Sequence, residues 1–316
     1  MRHRPRVLTL PRWPAATSSN WTGWLLVVLA NVCFSVVSPI GRYVVSNGMD
    51  PALFVVLRWS MAALLLSGTV AVVEPQRLFI DQNGLRFACL AGLFNSFSAL
   101  TFASSLKYLD ASMASMIYSA LPLAVLVLLR FRGEKFTYRN LVRIAIAVLG
   151  VYLLIGPGGD VPLIGVLLVL AAVVFFAVQL VLVQWYLKAY NPRTVALYIM
   201  IMIALVNGSW WWLQGSAWHM PSQQVWLAIG LLALVGSYLS RICYYGGIQR
   251  IGSGQASMLS PLETLLTVVW ATLFLQERLS PVQWIGGALI LLSALLAIQR
   301  LGRARWRPRL RMGARM

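Results

Sequence analysis

Residues Gly252 to Glu277 read GSGQASMLSPLETLLTVVWATLFLQE. The run opens on small residues, carries Pro261 and a carboxylate at Glu263, and then stays apolar until Gln276 and Glu277. An ionisable side chain within a long apolar run is costly in lipid, so it faces protein or a water-filled path and marks a functional position. An earlier stretch, Asp110 to Glu134, follows the same plan: Ala114-Ser115-Met116, then Pro122, an apolar run, and Gly133-Glu134. The two Ala-Ser-Met triplets lie 142 residues apart.

The rest of the chain supplies the setting. Of 316 residues, 59% are hydrophobic and 11% charged, against about a quarter charged in soluble domains. Mean hydropathy is +0.76. A net charge of +18 would suit a nucleic-acid partner, but its location does not. Arg2, Arg4, Arg6 and Arg12 precede the first apolar run, and seven arginines follow the last. Basic flanks of this kind orient membrane spans and attract anionic lipid. Cys33, Cys89 and Cys243 lie singly in apolar runs, and His3 and His219 lie outside them. Neither a disulfide, a metal centre nor a histidine-based catalytic set is expected. No Walker loop is present, so movement driven by gradients rather than nucleotide hydrolysis is expected, with no cofactor.

Ten segments are long and apolar enough to cross a bilayer: 22–40, 52–73, 84–105, 111–129, 140–156, 163–187, 193–213, 223–248, 254–275 and 282–299. The expected fold is therefore an all-α membrane protein. With the N-terminus in the cytoplasm, the inner regions hold 21 lysines and arginines and the outer connections hold 3. That bias places both termini inside. The first span is expected to act as an uncleaved signal.

The 142-residue offset extends beyond the triplets. Gly23–Val27 matches Gly165–Val169, Phe34 matches Phe176, and Val36 matches Val178. With a drift of one residue, Asp50-Pro51 aligns with Asn191-Pro192 and Glu134 with Glu277. The prolines do not share the register: Pro122 lies 12 residues before its glutamate and Pro261 lies 16 before its own. Each half holds five spans, an odd number, so the second enters the membrane from the opposite side. Ten transmembrane helices as two inverted five-helix repeats are expected, with a binding site near the midplane between them. The organisation is a basic cytoplasmic tail (1–21), a first repeat (22–156), a second repeat (157–299) and an arginine-rich cytoplasmic tail (300–316).

The five-plus-five layout, the proline-then-glutamate pattern of spans four and nine (Gly133-Glu134, Gln276-Glu277) and Arg58 in span two resemble the EamA branch of the drug/metabolite transporter superfamily. The resemblance covers roughly 22–299. It implies a ten-helix secondary transporter exporting metabolites such as amino acids or drugs, with a central cavity lined by both halves. The second repeat departs from the common pattern by carrying Gln276 where a glycine usually precedes the glutamate.

The embedded polar groups are the candidate site. Ser253, Ser260, Glu263, Thr267 and Trp270 recur at helical spacing and share one face. Pro261 and Pro122 lack the N–H that a helix interior needs and are expected to kink spans nine and four, freeing the carbonyls of Ser257 and Tyr118. Arg241, with Tyr244 on its own helix, and Arg58, beside Trp59, can grip a carboxylate or phosphate through paired hydrogen bonds. Alternatively they snorkel, or Arg241 pairs with Glu263. Asn31, Asn95 and Tyr118 are placed to touch substrate or to bond between helices, and Gln179 to bond between helices. At the shared offset Glu263 corresponds to Leu121 and Arg241 to Ala99, so the embedded charges are one-sided. The expected partners are a small-molecule substrate, membrane lipid, a coupling proton and a second copy of the chain as homodimer, with no nucleic acid. The expected function is outward movement of a small polar metabolite across the inner membrane by alternating access. The alternative is a flippase for a phosphate-bearing lipid or lipid carrier.

Overall fold

The computed structural model describes residues 21–129, 138–155, 161–187, 190–215, 220–251 and 259–303, and among these every regular element is helical. Residues 1–20 and 304–316, which make up most of the two tails, and Gly133-Glu134, Ser253 and Ser257 lie outside the described residues.

The first span differs from its expected 22–40. It runs from Trp21 to Ser46 as α1 (Trp21–Ser35) and α2 (Val37–Ser46), broken at Val36. The break has a chemical cause in Pro39, which has no N–H to donate to Ser35 four residues back and whose ring crowds that carbonyl. The bonding resumes one residue later, where Ile40 donates to the Val36 carbonyl at 3.2 Å.

The next spans start where polar residues can close a helix end. Asp50 accepts from the Ala52 and Leu53 amides at 2.9 and 3.1 Å and opens α3 (Pro51–Val73), with Pro51 at the first position. Asp81 accepts from Gly84 and opens α4 (Gln82–Ser105). Such caps satisfy amides that have no partner within the helix.

Span four is two helices, α5 (Ala111–Tyr118) and α6 (Leu121–Leu129), separated by a turn at Ser119-Ala120. Pro122 is the second residue of α6 rather than a kink in mid-helix. A residue without an N–H fits the first turn, whose amides have no intrahelical acceptor in any case. Span nine behaves alike. The described helix α12 (Ser260–Leu275) has Pro261 as its second residue and Glu263 in its first turn. Glu263 therefore stands at a helix start, where the backbone dipole favours a carboxylate, rather than ten residues into a continuous helix.

The remaining elements are a short 3-10 helix (Pro75–Leu78), α7 (Tyr138–Ile155), α8 (Leu163–Tyr186), α9 (Pro192–Leu213), α10 (Gln223–Leu231), a π-helical stretch (Leu232–Leu239), α11 (Ser240–Ile251) and α13 (Pro281–Arg303). The principal packing pairs are α4 with α8, α7 with α13, α3 with α9, and α1 with α11. The α7–α13 pair meets backbone to backbone. A Cβ built on Gly286 would lie 2.6 Å from the Gly150 carbonyl oxygen, and one on Gly150 would lie 2.7 Å from that of Gly286. Close approach of this kind is how helices pack where lipid offers no hydrophobic drive between them. Ser293 adds a 2.6 Å bond to the Arg143 carbonyl.

Polarity is distributed for a bilayer. Leu64 (71%), Leu205 (59%) and Val148 (63%) are exposed, whereas Asn31 (2%), Asn95 (3%), Gln179 (3%) and Asn207 (1%) are buried. Among the described residues, six helices meet the length and apolarity of a membrane span, and four shorter apolar helices accompany them.

One end of the bundle is tied together by charge. Arg42, within α2, donates to the Leu106 carbonyl and stands 3.6 Å from the Asp110 carboxylate. Past α12, Gln276 takes the left-handed conformation (φ 56°) that favours glycine. This is the position where the sequence departs from the family pattern. The turn brings Glu277, 9% exposed, onto the start of α5. There it accepts from the Ala111 amide (2.8 Å), the Ser112 amide (3.0 Å) and the Ser112 hydroxyl (2.6 Å).

Candidate functional site

The site is assembled on breaks in the helices. Trp59, 6% exposed on α3, carries two guanidinium groups: the central carbon of Arg58 lies 5.2 Å from its ring centre and that of Arg241, on α11, lies 5.3 Å away. Indole is the aromatic face most attractive to a cation. Arg58 is held further by the π-helical stretch. Its Nε donates to Ser237 Oγ at 2.8 Å and its Nη2 to the Gly236 carbonyl at 3.3 Å. The extra residue per turn of a π-helix displaces the ordinary bonding pattern, and such stretches are frequent at functional sites.

Tyr118 ends α5, directly before the break. Its hydroxyl lies near Ser98 of α4 and within electrostatic reach of both Glu263 and Arg241. Its ring packs edge-on against Phe102 (5.1 Å between centres) and against Phe176 (6.0 Å). Arg58 in turn feels the charge of Arg241. The structure thus brings Arg58 and Arg241 together on Trp59, with Tyr118 within electrostatic reach of both Arg241 and Glu263.

A second bond set anchors the Glu263 helix. The Ser35 carbonyl, left without its helical donor by Pro39, accepts from Thr267 Oγ1 at 2.9 Å, and Ser35 Oγ accepts from Trp270 Nε1 at 2.9 Å. Thr267 also donates to the Glu263 carbonyl at 2.9 Å. Glu263, Thr267 and Trp270 therefore do lie along one side of α12, and that side faces α1.

The other candidates divide. Asn95 is buried, and its Nδ2 has no partner among the described residues. Gln179 Oε1 is in the same condition, so the interhelical bond expected of that atom is not among the contacts described. Asn31 donates to the Val27 carbonyl of its own helix at 2.7 Å. Tyr244 packs edge-on against Phe34 at 5.8 Å. Sequence reasoning passed over Ser98, Ser35 and Pro39. The signal for the last two was a proline inside an apolar run with a serine four residues before it. Among the described residues no three His, Cys, Asp or Glu side chains gather as a metal site would need.

The EamA-like transporter family model matches residues 21–156 and again 163–299. The chain belongs to the EamA-like transporter family. Relatives include an uncharacterized transporter of Clostridium kluyveri, 23% identical over 304 residues (87% of this chain and 92% of that one). Another is the uncharacterized transporter YcbK of Bacillus subtilis, 23% identical over 279 residues (84% and 88%). A solved crystal structure superposes with a TM-score of 0.64 at 17% identity, covering 90% of this chain and 99% of the other. At that identity the likeness concerns the fold. The EamA-like chain described here is a multi-pass membrane transporter, not an enzyme, and its substrate is a small molecule.

Proposed function

We propose that this EamA-like protein is a secondary active transporter that moves a small polar metabolite bearing an anionic group outward across the inner membrane by alternating access. Both termini are cytoplasmic on this reading. The observation that carries it is the pair of guanidinium groups on buried Trp59. Guanidinium forks match carboxylate and phosphate oxygens, so two of them on one indole suit an anionic group. Glu263 receives an amine or a coupling proton on the opposite side of the substrate.

The packing pattern supports ten spans in two inverted repeats. Exchanging the halves turns the α4–α8 pair into the α11–α1 pair, and α4–α9 into the π-helical stretch against α3. The α3–α9, α5–α12 and α7–α13 pairs map onto themselves. Shifted by 143 residues, the Gly150–Gly286 contact becomes the Ser293–Arg143 contact. Partners with corresponding places in the two halves also run antiparallel, since Glu277 at the end of one span meets Ala111 at the start of the other.

The test is uptake and efflux in proteoliposomes, with solutes first chosen by their effect on thermal stability, because a ligand that binds the folded state raises it. Glu263→Gln is expected to remain folded and to lose flux or its pH dependence. Unchanged flux and pH dependence in that variant would sink the proposal. Lipid scrambling in the same vesicles, with no solute flux, would favour a flippase instead.

A further inference from the structure

Glu277 is buried and ionisable, yet it lies outside the site around Trp59. What it binds is unusual: the start of α5, a helix 166 residues earlier in the chain. That helix has its own capping residue. Asp110 stands at the cap position with φ −65° and ψ 150°. This is the extended backbone with which Asp50 (−63°, 130°) and Asp81 (−67°, 165°) cap α3 and α4. Asp110 nevertheless makes no capping bond, because its carboxylate is turned to Arg42. A carboxylate from the second half does the work instead.

The backbone is thus set for a second arrangement that needs a side-chain rotation and no change of φ or ψ. With Glu277 withdrawn, Asp110 can accept from the first-turn amides of α5, as N-cap aspartates do. Of the two amides that Glu277 holds, Asp110 can take that of Ser112, with that of Met113 besides, while the Ala111 amide, first in the helix, is left to water as the end opens. The elements tied at this end are those that lead inward to the site. α2 packs on α5 through the 3.0 Å Ser115–Ser38 bond, α5 ends at Tyr118, and α12 begins beside Glu263.

We propose that this end of the molecule opens and closes by a carboxylate exchange at α5. In the closed form, described here, Glu277 caps α5 and Asp110 is paired with Arg42. In the open form Glu277 leaves, Asp110 caps its own helix, and Arg42 lets go of Asp110. The exchange is a gate to the site and rests on the transport reading above.

Hydrogen exchange followed by mass spectrometry on the purified full chain tests it without needing a substrate. Glu277→Ala is expected to speed exchange at least tenfold over α2 (Val37–Ser46) and all of α5 (Ala111–Tyr118) together. Asp110→Asn keeps a capping side chain but gives up the pairing with Arg42, and is expected to shift both segments in the same direction. Acceleration confined to the first turn of α5 would mean a static cap and would overturn the gate. Should Glu277→Ala fail to fold, Asp110→Asn decides, because it leaves Glu277 in place. Faster exchange over both segments in that variant supports the gate, and exchange that is unchanged or faster only in the first turn of α5 overturns it. Absence of any flux or solute binding in the unmodified protein counts against transport itself, and the exchange pattern still decides whether the gate exists.

Discussion

Arg58 shows how a charge is kept within an apolar span. Three of its contacts are geometric: an indole face at 5.2 Å, a hydroxyl at 2.8 Å and a carbonyl at 3.3 Å. A lysine carries the same charge but has no fork to reach Ser237 and Gly236 at once. Arg58→Lys is therefore expected to destabilise the protein by about 1.5–3 kcal/mol, the range for hydrogen bonds to charged groups, read from thermal unfolding in detergent. An unchanged unfolding temperature would show that the π-helical stretch does not depend on Arg58. The charged members of the site were legible in sequence, because Arg58, Arg241 and Glu263 interrupt apolar runs. The meeting of the two arginines on Trp59 was not. An aromatic residue in a membrane span gives no sign of which distant cation it will face, and Trp59 next to Arg58 read simply as a neighbour.

Proline acts at the level of the helix. Pro122 and Pro261 each fall at the second position of a described helix, so they help begin α6 and α12 rather than bend them. Their spacing in sequence pointed to a disturbance but not to its form, since a proline tolerated at a helix start and one breaking its middle look alike when the run is apolar throughout. Pro39 is the clearer breaker, and its effect is repaired across the fold by Thr267. Thr267→Val removes that donor and leaves the Ser35 carbonyl bare, at a cost of about 1–3 kcal/mol. Pro39→Ala restores an N–H four residues after Ser35, so the cost of Thr267→Val should shrink in that background. A coupling of at least ~0.5 kcal/mol is expected from the double-mutant cycle by chemical or thermal unfolding. Additive effects would mean that Thr267 does not repair the break.

At the scale of the whole molecule, the bilayer sets what sequence can reveal. Lipid demands long apolar helices, so spans, their order and the basic bias of their flanks are legible from composition alone. Helix pairing is not, because one lipid-soluble surface resembles another, and contacts are decided by small residues at particular heights. Gly286 is such a residue. Gly286→Ala would drive its Cβ to 2.6 Å from the Gly150 carbonyl and 2.7 Å from the Leu154 amide, both backbone. Separation of α7 from α13 should cost about 1–3 kcal/mol, as overpacking does, and lower the yield of folded protein. Gly68→Ala in α3 meets nothing within 4 Å and is expected to be neutral or stabilising by about 0.5–1 kcal/mol, since alanine is the better helix former. Similar losses in both variants would show that the α7–α13 contact is not special.

The bond from Thr267 to Ser35 has a mechanical consequence. It ties α12 to α1 through a carbonyl that Pro39 deprives of its usual helical donor, together with the Trp270 bond to the same serine. Pulling these two helices apart would strand polar groups in a dry place. The other attachment of α12, through Glu277 to α5, uses a carboxylate whose place at the Ser112 amide Asp110 can take. One seam is fastened with parts that cannot be exchanged and the other with parts that can. Any large movement of α12 is therefore a movement with α1, away from α5, so that a segment of the second half travels as cargo of the first span.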